Sequence, residues 1–266
     1  YYKKNWGFCT TYNQKKNIKD RHYHVKINSE FRKGYLINGI STIKGQSKKL
    51  NIITSYLCHP SMANNELSGP LVLLGLYNKI KKWKNHNYTY KFLINPETIG
   101  SLCFIHGEKN NLIKNLNTGL VLTCLGGPKQ KLSYKKSRTG NSNLDRLYTY
   151  LFNKKKCDLR EFTPNGSDER QYCSGELNLP VGQISRTIYH QYPEYHTSKD
   201  DKKFMNIKQI IKSIDFIYNV IKINDNIFPL FRYMPFGEYQ LGKRNLYYSV
   251  NSHSTRNLSN DSLKDN

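Results

Sequence analysis

The stretch LCHPSMANNELSGP at positions 57–70 places a histidine, two asparagines and a glutamate on one short segment, directly after the apolar run LNIITSYLC. Asn and Ser are common turn formers, so a plain polar turn is the first explanation to weigh. Other segments carry similar side chains: NPET (95–98), TC (123–124), TPNGSDERQYC (163–173) and YPEYHTSKDD (192–201). Brought together, they would offer His59 and His196 with Glu97, Asp168, Glu169 and Asp200. A catalytic zinc takes about three ligands of the His/Asp/Glu type and keeps one position open. A neighbouring carboxylate then serves as base for the activated water. His59 and His196 with Asp168 or Glu97 meet that requirement. The ordinary alternative is a polar rim, with Asp in turns and Glu paired to Arg170.

Nucleophile chemistry is less well supported. Ser68 sits in LSGP rather than in a GxSxG elbow. Cys173 follows DERQY, and packing explains a cysteine there better than attack does. No GxxxxGK[ST] and no GxGxxG after a strand is present, so a phosphate-cradling loop is not expected.

The elements that must position these loops follow from periodicity. HYHVKIN alternates, and GYLINGISTIKG follows it after a turn, so residues 21–44 read as β. LNIITSYLC (50–58) is continuously apolar, as in a strand buried on both faces. Gly69-Pro70 opens LVLLGLYNKIKKW, with helical spacing and a basic end that suits the helix dipole. YTYKFLIN (88–95) is the next strand, then a short helix in EKNNLIKNL, then the buried strand GLVLTCLGG (119–127). NLDRLYTYLFNKK (143–155) is helical, LPVGQISR (179–186) is a strand, and IKQIIKSIDFIYNVIKI (207–223) is a long helix. Strands alternating with helices predict an α/β three-layer sandwich around a mostly parallel sheet. The division expected is a β-rich N-terminal part (1–47), an α/β domain (48–223) and an extended tail (224–266). In an open α/β sheet, ligands sit beyond the carboxyl ends of the strands, where these loops emerge.

Composition sets the outer bounds. With 266 residues the chain can build one large domain. Its formal net charge of +23 would suit nucleic acid. The excess is mostly lysine, scattered and accompanied by abundant Asn, Ile and Tyr, which favours solvated faces and compositional drift; nucleic acid is not the expected partner. No apolar run is long enough for a membrane span, and YYKKNWGFCTTYNQ has no signal-like stretch and no initiator Met, as in a fragment. Six cysteines without a CxxC pair point to a reduced, cytoplasmic protein. Nothing in the composition sets the oligomeric state.

LCHPSMANNELSGP, FLINPETIGS, GLVLTCLGG, GSDERQYCS, NLPVGQISR and YPEYHTSKDD occur in this order. Together they closely resemble the aminopeptidase-like proteins encoded among bacterial polysaccharide-biosynthesis genes, relatives of the zinc aminopeptidases and glutaminyl cyclases. The likeness runs from about Trp6 to Arg244. It implies a phosphorylase/hydrolase-like α/β sandwich whose fuller members carry an inserted small β-rich domain and a C-terminal winged helix. Position by position, His59 matches the first metal-binding His, Asn65 the metal-bridging Asp, Glu97 the catalytic base and His196 the last ligand His. Thr98 and Thr123 stand where further carboxylate ligands would be, and Asp168 lies in a loop resembling a Ser-Asp-His segment. Neutral Asn and Thr bring no charge to offset a second ion, which argues for one zinc rather than two.

The resulting expectation is a metal-dependent hydrolase of an amide on an amino acid, short peptide or aminoacylated sugar. His59, His196 and Asp168 would hold one Zn2+. Glu97 would be the base, with Glu169 in reserve. Asn65, Arg170, Arg186, Tyr195 and Asp200 would line the substrate or support the ligands. The rival expectation is a catalytically inactive module of the same fold that binds or regulates.

Overall fold

The computed structural model describes residues 5–19 and 22–227. Seven strands form one mixed sheet: β1 (Gly39–Ile43), β2 (Leu50–Tyr56), β3 (Thr89–Asn95), β4 (Leu116–Leu122), β5 (Ser133–Lys135), β6 (Asp158–Arg160) and β7 (Val181–Ser185). Their order is β1-β3-β2-β4-β7-β5-β6. The central four, β3, β2, β4 and β7, are parallel; β1 and β5 join antiparallel, and β6 runs parallel to β5. β2 is buried at every position, which is why its sequence is apolar without alternation.

The helices are α1 (Tyr12–Asn17), α2 (Ser68–Ile80), α3 (Ile99–Asn115), α4 (Asn143–Asn153), α5 (Glu169–Tyr172) and α6 (Ile207–Asp225). Val72, Leu76 and Ile80 of α2, Leu144 and Tyr148 of α4, and Ile217 and Val220 of α6 pack in one cluster on one face of the sheet. Phe104, Ile105 and Leu112 of α3 and Tyr172 of α5 pack in a second cluster on the other. The expected three-layer architecture is what results. Gly69 lets α2 lie close on the sheet: a Cβ there would stand 2.6 Å from the Leu122 carbonyl oxygen.

The chain passes from β2 through α2 to β3 on one side of β2, then through α3 to β4 on the other. That reversal opens a crevice at the carboxyl end of β2, where Cys58 and His59 emerge.

Several boundaries differ from the sequence reading. Of residues 21–44, Gly39–Ile43 form a strand, and HYHVKIN is exposed and irregular. Its alternation lacks a neighbour to pair with, and a strand without a ladder does not hold. β1 is also the edge of the central sheet, paired with β3, although it falls in the part set apart as 1–47. The helix expected in EKNNLIKNL begins earlier, at Ile99. The tail beyond Ile227, with its winged-helix approach, lies outside the described residues. Among those described, no helix is long and apolar enough to cross a membrane.

Candidate metal and catalytic site

The loops after β2, β3, β4 and β7 meet at one rim. A π-helical turn, Ala63–Leu67, folds the segment after His59 back on itself and leads straight into α2. The turn returns Glu66 to the histidine. Glu66 is buried, and its Oε1 lies 2.5 Å from His59 Nδ1, while its Oε2 accepts the Cys58 backbone N–H at 2.6 Å. Cys58 Sγ stands 3.3 Å from the same His59 nitrogen. Cys58, His59 and Glu66 therefore present three ligand-type atoms within 4.8 Å of one another. His196 joins from the far wall, its ring centre 5.1 Å from that of His59, and stacks on Tyr195 at 3.9 Å.

Glu97 reaches the same space from the end of β3. Its Oε1 accepts from Ser167 Oγ at 2.7 Å, and its backbone N–H points to Cys58 Sγ at 3.3 Å. Burial raises the Glu97 carboxyl above the usual carboxylate range, with Asp168 and Glu66 adding to the rise. Burial likewise raises the Cys58 thiol, and Glu66, Glu97 and Asp168 push the same way. His196 is pulled down by burial and by the adjacent His59 and His190, which keeps its imidazole neutral near neutral pH. Three carboxylates, Glu66, Glu97 and Asp168, therefore stand close enough to act on one thiol.

Backbone strain concentrates here as well. Ser61, Thr98, Cys124, His190 and His196, all non-glycine, have φ between 50° and 65°. Residues held in that region cost of order 1 kcal/mol or more each and persist where surrounding structure insists on them.

Other expected site residues are taken up by contacts within the fold. Asp168, read as the third ligand, is completely buried and accepts from Asn95 Nδ2 at 2.9 Å, the Thr98 N–H at 2.7 Å and Ser101 Oγ at 3.1 Å. It caps the start of α3 from 70 residues away and is not one of the three converging donors. Asp200 does the same for the π-helical turn, accepting the Asn64 and Asn65 N–H groups at 2.6 and 2.9 Å. Glu169, the reserve base, is fully buried in an ion pair with Lys135 at 2.8 Å and is no free base. Arg186 is buried on the carbonyls of Lys129 and Gln130 and on Ser213, and loss of solvent lowers its guanidinium to about 10. Arg170 reaches Thr98 Oγ1 at 3.4 Å. Asn65 lies beneath the crevice, its amide nitrogen near Tyr56 Oη and Cys124 Sγ and its Oδ1 buried without a partner among the described residues.

The donors test what the site can hold. A thiol, an imidazole and a carboxylate suit one borderline-soft ion such as zinc. Asn65, Thr98 and Thr123 are neutral, and Asp168, Glu169 and Asp200 are engaged elsewhere, so the Cys58, His59 and Glu66 group is the set among the described residues that fits an ion. Glu66 and Cys58 are the residues that sequence reasoning missed. The seven-residue spacing to His59 pairs Glu66 with it only because a turn closes the loop. The adjacency of Cys58 to His59 was the available signal for the thiol.

The model of a domain of unknown function, DUF4910, matches residues 15–226. A candidate polysaccharide-biosynthesis protein with an aminopeptidase-like domain, from Clostridium acetobutylicum, is 36% identical over 252 residues, covering 94% of this chain and 57% of the relative. The chain thus spans little more than half of that relative's length. A crystal structure of a candidate peptidase from the same species superposes with a TM-score of 0.78 at 34% identity, over 92% of this chain and 57% of the other. BSAP, a zinc aminopeptidase from Bacillus subtilis, superposes with a TM-score of 0.59 at 17% identity, over 72% and 53% of the two chains, a likeness of fold. The chain belongs to the DUF4910 family, is similar over most of its length to a polysaccharide-biosynthesis protein with an aminopeptidase-like domain, and shares the fold of the zinc aminopeptidases.

Proposed function

We propose that this domain is a single-metal hydrolase of the aminopeptidase type, acting on an amide of an aminoacyl, peptide or aminoacylated-sugar substrate. The observation that supports it is the convergence of His59 and Glu66 at the end of β2, faced by His196 and Glu97 across the crevice. His59 and Glu66 would hold one zinc ion. When bound, such an ion supplies Lewis acidity to the attacked carbonyl and to the attacking water.

The proton movements belong to the protein. Glu97, whose carboxyl burial raises above its usual range, takes the proton of the attacking water and delivers it to the leaving amine. Ser167 fixes its orientation through the hydrogen bond to Oε1. The neutral His196 ring donates to the oxygen on which charge develops. Tyr195, stacked on that ring, holds it in place. The surrounding carboxylates favour a substrate with a free amine, the group an aminopeptidase recognises.

The test is metal content together with hydrolysis. The purified protein is expected to take up about one zinc per chain and to release the amino-terminal residue of short peptides or aminoacyl amides. His59→Ala should lose both, with zinc affinity down at least 100-fold. A wild-type chain that binds no zinc after soaking would sink the proposal. Stoichiometric zinc with no hydrolysis across such substrates would favour the binding-module reading, which the engagement of Asp168, Glu169 and Asp200 in structural contacts also supports.

A further inference from the structure

Proposed ligands from sequence left the third position to Asp168, and the hydrogen bonds that hold that carboxylate leave the position open. Three features converge on Cys58. Its sulfur stands 3.3 Å from His59 Nδ1 and falls within the same 4.8 Å group as the Glu66 carboxylate. The residue is exposed at the crevice mouth, unlike Cys124, Cys157 and Cys173, which are buried. It also lines a cavity of about 580 Å³ with His59, Met62, Glu66 and Asp200, so an ion and a substrate can both reach it.

We infer that Cys58 supplies the third protein ligand, which makes the centre a thiolate–imidazole–carboxylate site rather than one built from histidines and carboxylates alone. This rests on the single-metal reading above. The chemistry balances simply: the thiol gives its proton to solvent as the sulfur–metal bond forms, so uptake of the ion releases protons. An ion held by these three donors would keep a position open toward the crevice. A thiolate also sets the class of ion: zinc, cobalt and cadmium are preferred, while magnesium and calcium, which favour oxygen ligands, are rejected. The Glu97 N–H directed at the sulfur orients it and supports its negative charge once the proton is gone.

The experiment loads the metal-free protein with Co2+ and records its absorption spectrum. The expected result is one cobalt per chain with a strong near-ultraviolet sulfur-to-cobalt charge-transfer band, unaffected by excess Mg2+. Cys58→Ser should abolish the band and weaken cobalt binding at least tenfold, while its circular dichroism matches the wild type. A wild-type chain that binds one cobalt without the charge-transfer band, or a Cys58→Ser protein that keeps the band, overturns the assignment of Cys58 and leaves the single-metal reading standing. A wild-type chain that binds no cobalt overturns both.

Discussion

Glu169→Gln is expected to lower the unfolding free energy by about 3–5 kcal/mol, the usual cost of leaving one partner of a buried ion pair uncompensated. Lys135 and Glu169 have side chains 1% and 0% exposed, with Nζ 2.8 Å from Oε1. The ammonium also donates to the Asn165 carbonyl at 2.7 Å and sits over the Phe162 ring. Glu169 Oε2 accepts the Ser167 N–H at 3.1 Å. Removing the carboxylate's charge strands a cation that water cannot reach. Lys135→Met should cost a similar amount for the opposite reason. The double variant Lys135→Met/Glu169→Gln should recover much of the loss, because neither charge then remains buried. Urea unfolding of all four proteins gives the coupling energy directly. A coupling below about 0.5 kcal/mol would mean that the pair does not hold this corner of the fold. Ser167 also carries Glu97, so hydrolysis should fall in Glu169→Gln beyond what partial unfolding explains.

Asp200→Ala should be nearly as severe, at about 3 kcal/mol or more, the worth of two hydrogen bonds to a buried carboxylate. The Asp200 side chain satisfies the Asn64 and Asn65 amides, and its backbone carbonyl accepts the Ala63 N–H at 3.0 Å. That turn is what presents Glu66 to His59. Zinc affinity should therefore drop with stability, although Asp200 would touch no metal. Asp200→Asn keeps one acceptor oxygen and is expected to lose about half as much. The check is thermal melting beside zinc titration. An Asp200→Ala protein that melts like the wild type would show that the turn stands without its distant cap.

These two residues illustrate how far the sequence carries. β2, α2 and α6 were legible because burial leaves a continuous or periodic apolar trace in their own residues. β5, β6 and α5, three or four residues each, are too short for any period to show. α3 was read too short because its first turn, IGS, has poor helix formers. Its amino end is capped by Asp168 from a loop 70 positions on, and local sequence holds no sign of that. The same cause shifted the site. The rule that ligands gather at strand ends picks out the loops of His59, His196 and Glu97, and the fold brings these loops to one crevice. Asp168 and Asp200 carry the right chemistry for a metal but are held by helix amides, and which of two uses a carboxylate serves is decided by tertiary contacts. Lys135 in SYK gave no hint that it pairs inside the protein, since lysine is rarely buried and its partner lies 34 residues away.

The amino-terminal caps have a further consequence. Amides in the first turn of a helix normally lack intrahelical partners and exchange with solvent early. Here the N–H groups of Asn64, Asn65 and Thr98 are tied to buried carboxylates contributed by remote loops. In heavy water they should exchange as slowly as the core strands, surviving until the loops around Asp168 and Asp200 open together. The two walls of the crevice would then behave as one cooperative unit that is ordered before any ligand arrives.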